Sequence, residues 1–483
     1  MPGKHVFSSP SLLKFFFFKP IFIIFIIIPC LIHGIFRLNA LALSIEEENI
    51  LGQQFLSQIR KQCELLEDDY ANRFINDLGQ YLTLSLEVKH FPFKFYIIKD
   101  SSLNAFAAPG GHIFFYSGLI EAMDTVDQLA GVMAHEIGHV FARHLSNRIE
   151  QGKKIGLATM AGVLAGVLIG GEAAEAMITG SMAGSIQTQL HYSRNDERHA
   201  DQLGFKYATQ AGFEPAGLLL ALGKIEKAHL GINTTPPYFL THPTGPERMS
   251  NLDSMISNYI PGTDKKEVKK IRNLFPFFKT ICNATCFDLN ESISFFKASL
   301  KKSPVDLNHF GLGIALKRNS EDLKAINHFN KAIKLETDLS QILTYLGEAY
   351  QKAGQYHNAI TVLKKRLKQN SGDKTALLFL GISYEGLEQY EKAIKIYKKL
   401  VSLKPVKNMI FYHLGICYGK EERLALAHYY FGIYFKKIKE ISKAFFHLNR
   451  SEKLAQNDKA LLKKIIAVKN NIPINKKVPR KLK

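Results

Sequence analysis

Apolar residues recur at three- and four-residue steps through Ile45, Ile50, Leu51, Phe55, Ile59 and Cys63, predicting a helix that starts at Ser44. Glu46, Glu47 and Glu48 fall in its first turn, where the helix dipole favours negative charge. A second helical pattern runs from Ala71 to Leu84. The period then changes. Phe91 to Ile98 is rich in aromatic and β-branched residues and reads as a strand, and Asn104 to Ala107 reads as another. Pro109-Gly110-Gly111 makes the turn into His112 to Tyr116. From Thr125 the helical period returns, with Val126, Leu129, Val132, Met133, Ile137, Val140 and Phe141 on one apolar face. Thr125 and Gln128 predict a capping box at its start.

The second half of the chain is periodic on a longer scale. Gly313, Gly347, Gly381 and Gly415 are spaced by 34 residues, and so are Ala325, Ala359, Ala393 and Ala427. Leu346, Leu380 and Leu414 precede the later glycines, and Tyr350, Tyr384 and Tyr418 follow them by three. This helix–turn–helix period resembles the tetratricopeptide repeat, in which small residues let paired helices approach closely. Phe295 and Ala298 fit an earlier partial repeat, and the pattern decays after Ile438 as in a capping unit. Such arrays present a concave groove to peptides or proteins, which predicts a protein partner here. The sequence thus divides into a mostly helical α+β domain at 43–260, a linker at 261–286, an all-α solenoid at 287–466 and a basic tail at 467–483.

The first 42 residues read as a signal peptide or an uncleaved anchor. Lys4, Lys14 and Lys19 precede an uncharged run from Pro20 to Phe36, and Ala40-Leu41-Ala42 offers a small-x-small cleavage pattern. Export to the periplasm is the expectation. The Gly/Ala-rich stretch from Ile155 to Ile186 is interrupted by Gly170-Gly171, Glu172 and Glu175, so neither half supplies the roughly 20 apolar residues of a membrane span. A helical lid is the reading there.

Charge is unevenly shared. The formal net charge is +20, yet residues 44–260 carry 16 basic against 24 acidic side chains, and residues 261–483 carry 43 against 19. The basic half suits anionic lipid or an acidic protein, and its tail from Lys476 to Lys483 could touch lipid headgroups. Nucleic acid is not expected, because no recognition motif or interleaved stacking aromatics accompany the lysines and export removes the partner. Cys282 and Cys286 lie close enough to pair in an oxidising compartment, but unpaired cysteines are the expectation.

The chemistry concentrates in His135-Glu136-Ile137-Gly138-His139. Histidines four apart share a helical face, where both imidazoles can reach one ion. Glu136, a quarter-turn away, can hydrogen-bond a metal-held water and take its proton, which zinc makes acidic at a pKa of about 7. A catalytic zinc needs a third protein ligand. Glu197 and Asp201, also four apart, are candidates for ligand and supporting acid, and His199 between them is an alternative ligand.

Residues 44 to about 255 resemble the gluzincin peptidases that include HtpX and the CAAX prenyl proteases, and most closely the periplasmic BepA-type (YfgC-like) enzymes. The likeness rests on Asn104-Ala105-Phe106-Ala107 with the Pro109-Gly110-Gly111 turn, on the His135 to His139 motif, on Ser193-Arg194 with Glu197, Ala200 and Asp201, and on Thr241-His242-Pro243 with Arg248. His199 departs from relatives, which often carry an acidic or amide residue there. The resemblance implies one zinc ion per chain on His135, His139 and Glu197, Glu136 as base, and Asp201 behind the ligands. It implies that Asn104, Ala105, Phe106 and Ala107 pair with extended substrate by strand addition. His242 and Arg248 would lie over the cleft, stabilising an oxyanion, or His242 would latch the open zinc position. The implied function is an exported zinc endopeptidase acting on misassembled outer-membrane proteins selected through the repeats. The alternative is a chaperone-like assembly factor, partnered with the outer-membrane assembly machinery, whose zinc site is held closed.

Overall fold

The computed structural model describes residues 43–151, 160–162, 164, 166, 192–228, 237–243, 246–260, 262, 265–335 and 340–472. The segment read as a signal at 1–42, residues 473–483 of the expected basic tail and most of the stretch read as a lid lie outside the described residues; the first part of that tail, to Asn470, instead continues the last helix of the array. Among the described residues no helix is long and apolar enough to cross a membrane.

Helix α1 (Ile45–Gln62) begins at a reciprocal cap: Ser44 Oγ accepts from the Glu47 amide, and the Glu47 side chain accepts from the Ser44 amide. Helix α2 (Asp69–Leu82) is capped by Asp68, whose carboxylate accepts from the amides of Tyr70 and Ala71. A three-stranded sheet follows, ordered β1-β3-β2. β1 (Lys94–Ile98) runs parallel to β3 (His112–Tyr116), and β2 (Ala105–Ala108) pairs antiparallel to β3 at the edge. Gly110 and Gly111, at φ 72° and 80°, make the turn that side chains would resist.

Helix α3 (Ser117–Ala122) leads to α4 (Val126–Phe141), which carries the histidine motif. α4 is more deeply set than a one-faced pattern implies, since every residue from Val126 to Val140 is buried. The sheet side takes its apolar face, while α6 (Arg194–Ala211) and α7 (Gly217–Lys227) cover the rest, with α5 (His144–Gln151) following directly in the chain. At its start Thr125 Oγ accepts from the Gln128 amide, but the Gln128 side chain turns to the Asp124 amide, one residue earlier than a capping box requires. Short helices α8 (Pro237–Thr241) and α9 (Pro246–Ser257) complete the domain.

The expected linker at 261–286 is not one. Lys266–Cys286 form a single helix, α10, with Val268, Phe275, Phe277, Phe278, Ile281 and Cys282 buried. The lysine run that reads as a linker is the solvent side of its first turns. α10 packs on α2, α3 and α4 as well as on the repeats; Phe278 stacks on Phe74 of α2 at 4.3 Å, and Arg272 Nη2 lies 2.8 Å from Asp127 Oδ1. Cys63, Cys282, Cys286 and Cys417 are free thiols.

Helix α11 (Leu289–Lys302) precedes four helix pairs: α12 (Asp306–Arg318) with α13 (Asp322–Leu335), α14 (Ile342–Lys352) with α15 (Tyr356–Gln369), α16 (Lys374–Gly386) with α17 (Tyr390–Ser402), and α18 (Met409–Lys420) with α19 (Leu424–Lys437). Helices α20 (Ile441–Leu454) and α21 (Lys459–Asn470) close the array. The repeating glycine has a steric cause. A Cβ at Gly313, Gly347, Gly381 or Gly415 would lie 2.6, 2.4, 2.5 or 2.7 Å from Phe329, Leu363, Tyr397 or Phe431, each sixteen residues onward in the partner helix.

The start of α2 is bound into the repeats by a buried polar network. Tyr345 donates to Asp68 at 2.7 Å, the Tyr70 hydroxyl lies 2.8 Å from Thr344 Oγ1 and donates to Asp373, and Arg366 Nε donates to Asp373 at 2.7 Å.

Candidate metal centre

α4 and α6 cross where both carry small residues. A Cβ at Gly204 would stand 2.9 Å from the backbone nitrogen and Cα of His135, and one at Gly138 would stand 3.0 Å from the Ala200 carbonyl oxygen. Only that approach lets short acidic side chains on α6 reach imidazoles on α4. α6 is fixed in rotation by its own cap, in which Ser193 Oγ accepts from the Asp196 amide and Asp196 accepts from the Ser193 amide. Asp196 is further held by Arg148 Nε at 2.8 Å. Glu197 and Asp201, one turn apart, then face α4 and are buried.

Four donors converge. Single ligand atoms of His135, His139, Glu197 and His242 all lie within 4.8 Å of one another, and all four residues are buried. His139 Nε2 is 3.0 Å from His135 Nε2 and 3.2 Å from Glu197 Oε1. His242 Nδ1 is 3.0 Å from Glu197 Oε1. Imidazole nitrogens and a carboxylate oxygen are the donors that zinc takes in four-coordinate sites, so the residues present fit that ion. His199 is exposed and stands outside the cluster.

Behind the donors, Asp201 Oδ1 lies 2.9 Å from His135 Nδ1 and takes the outward side of that ring. Arg248, on α9, braces both acids: Nη1 is 2.7 Å from Glu197 Oε2, and Nε is 2.8 Å from Asp201 Oδ2. Its guanidinium thus bridges the two carboxylates. Burial favours the neutral acid at Glu197, yet His242, Arg248 and the histidine hydrogen bonds outweigh it and hold the carboxyl well below the usual range.

Glu136 is buried completely, and neither carboxylate oxygen has a hydrogen-bond partner among the described residues. The His242 ring lies beside it, with Nε2 at 3.5 Å from Oε1. Burial pushes its carboxyl above the usual range, opposed by the charges of His242 and His135. An acceptor left unpaired in the interior is costly, and it points to a ligand-facing role.

Of the residues expected to receive substrate, Ala105, Phe106 and Ala107 lie on edge strand β2, and Asn104 precedes it, its carbonyl accepting from the Tyr116 amide at 3.0 Å. All of β2 is buried, and α8 packs beside it. The open edge that strand addition requires is therefore covered in this arrangement. A cavity of about 450 Å³ is lined by Glu197, Asp201, Arg198, Pro243, Glu247 and Arg248.

Three residues around the donors escape the sequence reading. Tyr192 stacks on His139 with ring centroids 3.9 Å apart, and Tyr238 stacks on His242 at 4.6 Å. His144 Nδ1 lies 3.0 Å from His139 Nδ1. Neither Tyr192 nor His144 belongs to a helical-face pattern with the motif, so spacing carries no signal for them. Only Tyr238, four before His242, could have been found, from the helical step.

Comparison with known proteins finds likenesses in both halves of the chain. The model of peptidase family M48 matches residues 66–256, and that of anaphase-promoting complex, cyclosome, subunit 3 matches residues 321–400. The beta-barrel assembly-enhancing proteases of Yersinia pestis and Escherichia coli K12 are each 32% identical over 212 residues, 43% of this chain and 44% of theirs. The matched stretch thus spans less than half the length of these relatives. The metalloprotease LoiP of Escherichia coli K12 is 27% identical over 45% of this chain and 84% of its own. Among solved structures, MamA aligns with a TM-score of 0.30 at 24% identity, over 38% of this chain and 99% of that one. Residues 66–256, with the buried histidine–glutamate cluster at their centre, are a peptidase family M48 domain, set ahead of a helical repeat array.

Proposed function

We propose that this chain is a zinc-dependent endopeptidase exported to the periplasm, which cleaves misassembled outer-membrane proteins brought to it by the repeats. The observation that carries the catalytic part is the buried cluster of His135, His139 and Glu197 with the unpaired carboxylate of Glu136 beside it. In this reading those three residues hold the metal, and Asp201 orients His135. Zinc bound there supplies a Lewis acid that acidifies water and polarises a peptide carbonyl. Glu136 holds the proton taken from the attacking water and returns it to the leaving amine. Arg248 keeps Glu197 and Asp201 ionised and in place. The choice of client rests on the names of the relatives and on the repeats; a partly assembled barrel offers unpaired strand edges, and β2 is the matching edge on this side.

The test is Glu136→Gln in the full chain. Peptide hydrolysis should fall by about 10²- to 10⁴-fold while one zinc per chain is retained. Undiminished hydrolysis in that variant rules the mechanism out.

A second reading is favoured by one observation: His242 is itself among the four donors, and α8, which ends just before it, packs against β2. A single displacement of α8 would free both the metal's fourth position and the strand edge. The chain would then work mainly as an assembly factor with a latched protease. His242→Ala should raise proteolysis if the latch is real, and an unchanged or lower rate counts against it.

A further inference from the structure

Each motif imidazole turns one ring nitrogen into the cluster and the other outward. For His135 the outward Nδ1 meets a carboxylate, Asp201, at 2.9 Å. For His139 the outward Nδ1 meets another imidazole, His144, whose Nδ1 is 3.0 Å away. The far nitrogen of His144, Nε2, lies 3.2 Å from Nδ1 of His199 and 4.0 Å from Asp196 Oδ1.

A neutral imidazole carries one donor and one acceptor. If His139 offers the lone pair of Nε2 to a metal, its proton must sit on Nδ1, and Nδ1 of His144 must accept it. The proton of His144 is then on Nε2, where His199 Nδ1 is an acceptor. One assignment of tautomers satisfies both contacts, and its direction runs outward from the metal site to an exposed residue.

The backbone is shaped for this contact. Residues five apart do not share a helical face, so on a continuous helix His144 would point away from His139. The chain leaves α4 at Ala142, and Arg143 takes φ 53°, a left-handed conformation uncommon for a side chain. Arg143 Nε donates to the buried carboxylate of Glu48 at 3.0 Å, tying that turn to α1. His144 is thereby returned to His139, and it is 6% exposed.

We infer that His144 is a positioning residue of the metal site, accepting the Nδ1 proton of His139 so that Nε2 faces the ion, with His199 fixing the tautomer of His144 in turn. This rests on the zinc reading above. It also gives the extra imidazole at position 199 a role that direct ligation does not.

The test measures zinc affinity of the full chain by competition with a chromophoric chelator, for the parent, His144→Leu and His144→Asn. Leucine fills the space without an acceptor, whereas asparagine places Oδ1 where Nδ1 stands. We expect His144→Leu to bind zinc about 10- to 100-fold more weakly and His144→Asn to bind close to the parent. Equal affinity for parent and His144→Leu, or equal loss in both variants, overturns the role. A measurement without variants guards against misfolding: ¹⁵N-histidine spectra of the zinc-loaded parent should show the proton on Nδ1 of His139 and none on Nδ1 of His144. A proton on Nδ1 of His144 overturns the assignment. A parent chain that takes up no zinc fails at the earlier step and removes the metal reading itself.

Discussion

Two buried ionic networks in this chain use similar residues and differ in what they leave unpaired. At the contact between α2 and the repeats, Asp68 accepts from two backbone amides and Tyr345, and Asp373 accepts from Arg366, Tyr70, Thr344 and the Ala376 amide. No side-chain atom of those six residues is buried without a partner. At the metal centre, both oxygens of Glu136 and Nε2 of His242 have no hydrogen bond among the described residues. Since desolvating a polar atom without pairing it costs about 1–3 kcal/mol, a fold that leaves several together is holding them for something else. A saturated network fastens elements; an unsaturated one is kept for a ligand.

The sharpest way to break this distinction is Asp373→Ala, which strands the Arg366 guanidinium in the interior. Loss of one partner of a buried pair costs about 3–5 kcal/mol, so the urea midpoint should fall substantially while zinc affinity stays the same. A matching fall in zinc affinity would mean the two networks are one. Asp201→Asn makes the complementary cut. Zinc affinity should drop about 10- to 100-fold with little change in the unfolding of the repeats, as followed by circular dichroism. Gly381→Ala probes a site in neither network: the new methyl meets the Tyr397 ring at 2.5 Å, and overpacking should cost about 1–3 kcal/mol, with hydrolysis and metal content untouched.

The smallest effect expected is with pH. Burial works against ionisation of Asp373, but Tyr70, the Ala376 amide and Arg366 outweigh it and lower its carboxyl below the ordinary value of 3.8. A carboxyl lowered on folding contributes stability above its unfolded pKa and loses it as pH falls through the folded one. Asp68 is shifted upward by burial and acts in the opposite sense. The difference in denaturation midpoint between the parent and Asp373→Asn should therefore be flat near neutrality and decline only shallowly below about pH 4; a difference that already shrinks steeply at pH 6 would contradict this assignment.

What could be read from the sequence was periodic. His135 with His139 and Glu197 with Asp201 announce themselves by a four-residue step, and the glycines by a 34-residue one, because each step returns side chains to one face. What could not be read arises from breaks in a period or from tertiary cover. His144 reaches His139 only because the helix stops at Ala142. The lysines at 265–270 resemble a linker because their helix buries its opposite side. The covering of β2 by α8, and the turning of Arg248 toward two acids, depend on segments distant in the chain.

Helix α10 has a consequence for how the chain can be divided. One continuous apolar core runs from Leu66 through the sheet, α4 and α10 to Ala349 in the second helix pair, and a separate core begins at Ala359. The peptidase and the first repeats therefore share one core. A cut at Ile260, the sequence's most inviting boundary, would strip Phe74 and Leu78 of their cover.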